Sequence, residues 1–308
     1  MICFDKAIEY SGGCTVALGT FDGVHLGHRA VIAAALETGL PTVVVTFAQN
    51  PQSVLGAVKK HRIMPPEAAD AIFERLGCAG VIRLDFAKIK DMEPRDYLSM
   101  LVDRIGARNI VFGYDFRFGK GAAGNAELAR AFCEERGIGL HVCEAVVVGG
   151  KPVSSTRIRA LLEAGDAVAA GELLGEPYAV YGKVVHGSER GRTIGLPTIN
   201  QRFAEQDVLP KFGVYAASVE IDGEDFPTVA NIGIRPTFRL EEAMAETHII
   251  GFSGDLYGRV LAVKLGKYIR PEQKFESLAA LKSQIDSDIR HCLLVRAAEG
   301  CLSANKAN

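Results

Sequence analysis

The hydrophobic period of this chain changes near Pro177, and that change constrains the fold more than any other feature. Between Cys14 and Leu174, short β-branched runs alternate with stretches of helical period. Strands are expected at 14–19, 42–47 (Thr-Val-Val-Val-Thr-Phe), 80–84, 109–113 and 139–147. Helices are expected at about 28–38, 66–76, 94–105 and 125–136, with Pro65, Pro66 and Pro94 marking helix starts. Strands that are apolar on every residue need cover on both faces, which predicts a parallel sheet with helical crossovers. After Pro177 the runs Tyr178–His186, Gly213–Ile221, Thr228–Ile234, Thr247–Phe252 and Arg259–Leu265 alternate apolar and polar residues between Gly, Pro and Asp-Gly signals. That pattern predicts antiparallel strands in a small barrel or sandwich. One helix is expected from Ser277 to about Leu294, with Leu278, Leu281, Ile285 and Ile289 on one face. The expected domains are 1–176 and 177–296, with 297–308 a flexible tail.

A chain of 308 residues suits two domains of roughly 100–200 residues each. Hydrophobic residues are 48% and charged ones 23%, as in a soluble globular protein. Lys+Arg number 19 against 21 Asp+Glu up to Glu176, and 16 against 16 beyond it. Neither half has the basic excess of a nucleic-acid binder, so any phosphate is held locally. Cysteines 3, 14, 78, 133, 143, 292 and 301 are odd in number and form no C-x-x-C pair. Reduced thiols in a cytoplasmic protein are therefore expected, with Cys14 and Cys143 in the core. No signal-peptide pattern or unbroken apolar span is present, so neither secretion nor membrane insertion is expected.

Residues 19–28, Gly-Thr-Phe-Asp-Gly-Val-His-Leu-Gly-His, lie on a strand-to-helix turn. Gly19, Gly23 and Gly27 let the backbone pass close to a ligand, and the helix that follows aims its N-terminal N–H groups at the turn. His25 and His28, three apart, are placed to face one anion, and Phe21 and Asp22 precede them. A zinc site of the H-E-x-x-H kind needs four-residue spacing and a glutamate between, and both are missing. The turn is read as a phosphate site.

A second cluster, Val153-Ser-Ser-Thr-Arg-Ile-Arg159, follows the last parallel strand, at the other end of the same sheet. Ser154, Ser155 and Thr156 suit a helix cap or phosphate oxygens, and Arg157 or Arg159 supplies a fork. Together with the histidine turn it makes a triphosphate cradle. A third cluster, Gly113-Tyr-Asp-Phe-Arg-Phe-Gly119, ends the fourth strand. Its Asp115 and Arg117 read as ligand groups, while packing explains Phe116 and Phe118 equally well.

In the second half, residues 185–200 carry Gly187, Gly191 and Gly195 with Arg190 and Arg192, a basic hairpin loop by itself and not a Walker A motif. Thr198 and Asn200 lie two apart on an extended segment, hence on one face. Their hydroxyl and amide oxygens are suitable hard ligands for Mg²⁺, and turn capping is the alternative for each.

The set G-x-F-D-G-V-H-x-G-H, S-S-T-x-x-R and G-x-D-F-x-F-G resembles the adenylyltransferase domain of bacterial bifunctional riboflavin kinase/FAD synthetases. The second half resembles riboflavin kinase through G-R-T-x-G-x-P-T-x-N, Gly213-Val-Tyr215, Asn231-Ile-Gly233, Glu246-Thr-His248, Asp255-Leu-Tyr-Gly258 and Ile269-Arg-Pro-Glu272. The resemblance implies a Rossmann-like nucleotidylyltransferase domain followed by a riboflavin kinase-like barrel with a terminal helix. It implies FMN and then FAD made from riboflavin and two ATP. By the resemblance His25 and His28 hold ATP phosphates, Ser155, Thr156 and Arg159 hold the leaving pyrophosphate, and Asp115 helps place the nucleotides. Arg159 is preferred to Arg157 on motif position alone. Gly187, Arg192 and Gly195 belong to the kinase phosphate loop, and Thr198 and Asn200 hold Mg·ATP. Glu246 takes the proton of the ribityl 5′-hydroxyl, and Arg270 lies near the flavin.

The chain departs from the family at Thr46-Phe-Ala-Gln-Asn-Pro51, where T-F-x-P-H-P is usual. Asn50 retains a hydrogen-bonding side chain toward the flavin. Two further readings follow: a riboflavin kinase with an impaired first domain, predicting FMN without FAD, and a non-catalytic flavin or nucleotide sensor, predicting no product. Oligomeric state is not legible.

Overall fold

The computed structural model describes residues 13–49, 51, 56, 61–187, 196–236 and 241–306. The chain forms two compact units, Met1–Ser155 and Thr156–Asn308.

The first unit is a five-stranded parallel sheet. Its strands are β1 (Cys14–Leu18), β2 (Thr42–Phe47), β3 (Gly80–Leu84), β4 (Ala107–Gly113) and β5 (Gly139–Cys143), in the order β3-β2-β1-β4-β5. The helices between them are α1 (Leu26–Leu36), α2 (Pro66–Arg75), the short α3 (Phe86–Ile89), α4 (Pro94–Ile105) and α5 (Ala126–Arg136). Every residue of β1 is buried, as the continuous apolar run requires. Alternation sorts the side chains into two layers. Val16, Leu18, Val43 and Val45 face Leu98 and Leu101 of α4 and Phe132 of α5. Ala17, Val44 and Val111 face Val31 and Ile32 of α1 and Ile72 and Phe73 of α2. Cys14 and Cys143 are buried in these layers.

The expected strand at 139–147 ends at Cys143. Two short strands follow, β6 (Val147–Val148) and β7 (Lys151–Pro152), paired across Gly149 and Gly150 with φ of 60° and 72°. Two left-handed residues in succession make the turn that matches strand twist, and two glycines adopt it without a Cβ clash. The apolar run therefore splits between the sheet and a hairpin.

Helix α6 (Ser155–Ala164) starts on the last residue of the first unit and runs on in the second, followed by α7 (Ala167–Leu174). Sequence periodicity did not mark α7. It is capped by Asp166, whose Oδ1 accepts from Ala169 N at 3.0 Å, and it buries Leu173 and Leu174. The six strands that follow are all antiparallel: β8 (Ala179–Lys183), β9 (Thr198–Arg202), β10 (Gly213–Ile221), β11 (Glu224–Pro236), β12 (Glu241–Ile249) and β13 (Val260–Arg270). Their order is β8-β13-β10-β11-β12-β9, and a bridge between Val185 and Asn200 brings the two edges together into a near-barrel. Gln201, wholly buried, fastens that seam through Nε2, which donates to Gly182 O at 2.9 Å and Leu261 O at 2.8 Å. Strands β11, β12 and β13 extend beyond their apolar alternation because ladder pairing carries polar flanking residues with it. The terminal helix α8 (Leu278–Lys306) continues past the expected end near Leu294.

Candidate functional site

Strand order reverses direction at β1, with β2 and β3 to one side and β4 and β5 to the other, so a crevice opens beyond the carboxyl ends of β1 and β4. The turn at 19–28 leaves β1 at that point, and the loop at 113–119 leaves β4 there.

The turn is tightly determined. Phe21, Gly23 and Val24 have φ of 48°, 89° and 41°. Asp22 Oδ1 accepts from Ile63 N at 2.8 Å, and Thr46 Oγ1 donates to Thr20 O at 2.9 Å. His25 is the N-cap of α1, and its Nδ1 accepts from His28 N at 3.3 Å. Because Nδ1 accepts, a neutral His25 carries its proton on Nε2. The two imidazoles stack with centroids 3.7 Å apart and planes 11° apart. Gly27 makes room for this arrangement, since a Cβ there would lie 3.2 Å from the His25 ring. Desolvation, and then repulsion from His25, push the pKa of His28 well below its usual 6.5, so the ring is neutral at pH 7. Phe21 packs against His28 at 5.0 Å and against Phe73 at 5.6 Å. The turn is thus a helix N-terminus with two stacked imidazoles, that of His28 neutral.

One expectation is corrected. The cluster beginning at Ser154 does not stand at the other end of the sheet. The β6–β7 hairpin carries the chain back from β5, and Ser155 Oγ donates to Asp22 O at 2.8 Å. Gly19, Phe21, Asp22, Gly23, His25, His28 and Ser155 are therefore gathered around one turn, with Ser154 in the loop beside it. Thr156, Arg157 and Arg159 continue along α6 in the second unit, where Thr156 is exposed and Arg159 buried. Asp115 is exposed just beyond β4. Phe116 packs with Phe112, and Phe118 with Phe112 and Tyr97. Asn50, Arg192 and Gly195 lie outside the described residues.

The second unit holds a cavity of about 810 Å³. Three neighbouring strands supply a row of polar side chains to its wall: Asn200 on β9 is opposite Glu246 on β12, and Glu246 is opposite Asn231 on β11. Thr198 is diagonal to Glu246 across the β9–β12 pair, and its Oγ1 donates to Glu246 Oε1 at 3.2 Å. Ile199 points the other way and is buried, as the two-residue period requires. Gly187 passes directly over Asn200, and a Cβ there would come within 2.6 Å of Asn200 Cγ. Asn231 Nδ2 donates to Glu272 Oε1 at 3.1 Å. His186 stacks on Tyr257 at 3.7 Å beside the same cavity. Arg270 lines the wall and is gripped by Asp288 of α8.

Asn231, His186, Tyr257 and Asp288 were not selected from sequence as site residues. A signal for Asp288 was present. It lies seven residues after Leu281 and three after Ile285, an acid within the apolar helical stripe.

Residues 7–157 match the FAD synthetase family and residues 174–295 the riboflavin kinase family. The bifunctional riboflavin kinase/FMN adenylyltransferase of Pseudomonas fluorescens is 36% identical over 286 residues, 90% of this chain and 91% of that one. The Escherichia coli K12 protein of the same name is 37% identical over 289 residues, 90% of each. A crystal structure named as a macrolide-efflux protein from Streptococcus pneumoniae superposes with a TM-score of 0.84 at 31% identity, covering 93% of this chain and 96% of that one. Among the described residues no helix is long and apolar enough to cross a membrane. With relatives of this identity spanning both halves, the chain belongs to the family of bifunctional riboflavin kinase/FMN adenylyltransferases.

Proposed function

We propose that this chain is a cytoplasmic enzyme that phosphorylates riboflavin to FMN and then adenylylates FMN to FAD, using ATP in both steps. The kinase is assigned to 177–296 and the adenylyltransferase to 1–176. The observation that carries the reading is the Thr198–Glu246 contact of 3.2 Å within a cavity large enough for a flavin.

In the kinase step Glu246 accepts the proton of the ribityl 5′-hydroxyl as that oxygen attacks the γ-phosphorus of ATP, the bond from that phosphorus to the β–γ bridging oxygen breaks, and ADP leaves. One hydroxyl, one amide and one carboxylate oxygen stand together at Thr198, Asn200 and Glu246, a donor set that fits a hard cation. Mg²⁺ held by Thr198 and Asn200 would neutralise charge on the ATP phosphates. Gly187, with no Cβ, leaves room beside Asn200 for those phosphates, and Arg270 faces the flavin.

In the second step the FMN phosphate, already anionic, attacks the α-phosphorus and pyrophosphate leaves, so no general base is required. The work is positioning and stabilisation of charge. His25 offers Nε2–H, and the N-terminus of α1 offers backbone N–H groups. The neutral His28 acts here by hydrogen bonding rather than as a fixed cation. The Ser154–Arg159 cluster is assigned to the pyrophosphate on its motif position.

Purified protein with riboflavin, ATP and Mg²⁺ should yield FMN and then FAD on chromatography. FMN alone would support the impaired-domain reading, and no product would support the sensor. Glu246→Gln should abolish FMN formation while FMN supplied directly is still converted to FAD; unchanged kinase turnover would remove Glu246 as the base.

A further inference from the structure

Among the described side chains, the middle turns of helix α8 pack on the barrel. Ile289, Cys292 and Val295 lie against Val214, Ala216 and Val229 of the barrel, and Cys292 is buried. The preceding turns overhang the cavity: Leu278, Leu281 and Ile285 line it, and Leu278 is 60% exposed. Asp288 stands at the border between the packed part and the overhang, on the same helical stripe.

The Asp288 side chain is only 3% exposed, and a buried carboxylate is costly unless fully compensated. Here it is compensated. Arg270 Nε donates to its two oxygens at 3.0 and 3.2 Å, Arg270 Nη2 donates to Oδ2 at 2.7 Å, and Gln284 Nε2 donates to Oδ1 at 2.9 Å. Arg270 is the last residue of β13 and is itself closely held. Its Nη1 donates to Pro271 O at 3.0 Å, and its Cζ lies 5.8 Å from the Phe275 ring centre. The clasp closes the connection from β13 to α8, and both partners line the cavity.

Buried ion pairs of this kind are weak devices for stability, and an apolar residue at 288 would continue the stripe. What the pair supplies is geometry. Both carboxylate oxygens of Asp288 are turned to Arg270 and Gln284 rather than offered to a substrate proton. We infer that Asp288 is a positioning residue for flavin binding in the kinase step. It sets the orientation of the Arg270 guanidinium and the height of the α8 overhang, and it acts on the substrate only through them. This rests on the kinase reading above.

The test uses the full chain and the variants Asp288→Asn, Arg270→Lys, their double variant and Gln284→Leu. The KM values for riboflavin and ATP in FMN formation are measured separately, with FMN-to-FAD conversion by the same preparations as an internal control. Asp288→Asn should raise the riboflavin KM about tenfold, the size expected for a damaged charge-assisted hydrogen bond. ATP KM and FAD formation should stay within twofold. Arg270→Lys keeps the cation and loses the fork, and should give a similar rise. The double variant should be no worse than the poorer single, because both remove one clasp. A lowered melting temperature with riboflavin KM unchanged would overturn the inference, as would equal rises in both KM values. If Asp288→Asn does not fold, Gln284→Leu leaves the ion pair in place. It should still raise riboflavin KM by a smaller factor, and an unchanged value there also overturns the inference. Wild-type protein that makes no FMN would instead sink the kinase reading itself.

Discussion

An imidazole packed 3.7 Å from another one, in a partly buried turn, resists taking up a proton. The consequence for pH has a definite sign. Unfolded, His28 titrates near 6.5, and folded it titrates well below that. Above 6.5 both states are neutral there and its contribution to stability is complete. As pH falls through 6.5, the unfolded chain binds a proton that the folded ring refuses, and stability is lost. Denaturant midpoints between pH 8 and pH 5 should therefore fall more steeply for wild type than for His28→Gln. His28→Ala should abolish FAD formation and leave FMN formation near normal; equal loss of both would defeat the two-site assignment. Gly187→Ala drives a methyl group into Asn200 and should cost the kinase about a hundredfold, the scale of an ångström of misplacement, with FAD formation from FMN intact. At this scale the sequence was legible where function follows local spacing. Thr198 and Asn200 fall on one face by the period of two. Glu246 depended on family resemblance, because the register that sets it opposite Asn200 is a pairing between distant strands. Asp288 was invisible as a partner of Arg270 for the same reason: a helix residue and a strand end meet through tertiary packing.

The elements followed sequence wherever a strand was fully buried or a helix began at proline. Strands β2 and β3 and helix α4 have the expected bounds. The failures share a cause. Helix α7 is eight residues of mostly small and apolar side chains with no polar face to mark its period, and a cap together with burial of its leucines stabilises it. The split of 139–147 arose because apolar residues alone do not distinguish a sheet strand from a hairpin arm. That hairpin matters to the site, since it returns Ser155 to Asp22. Gly150→Ala forces an alanine to φ 72° and should destabilise the first unit by about 1–2 kcal/mol. It should also slow FMN-to-FAD conversion without touching FMN synthesis, which paired assays and a denaturant titration would check.

For the whole molecule, the residues assigned to FMN formation lie in the second unit, and those assigned to its adenylylation lie mostly in the first, with Thr156, Arg157 and Arg159 in the second. FMN released by one should therefore be usable by another molecule. Mixing His28→Ala with Glu246→Gln, each unable to make FAD from riboflavin, should restore FAD formation, read by chromatography. The turn that bears His25 and His28 has a further consequence for the molecule's tolerance of change. Phe21 and Val24 hold left-handed backbone that bulky residues adopt only at a cost of about 1–3 kcal/mol each. Val24→Gly would relieve that cost but would empty a wholly buried core position, and the packing lost outweighs the strain released. Strain and burial therefore lock this turn together, so small substitutions at Val24 should lower thermal stability and adenylyltransferase rate alike.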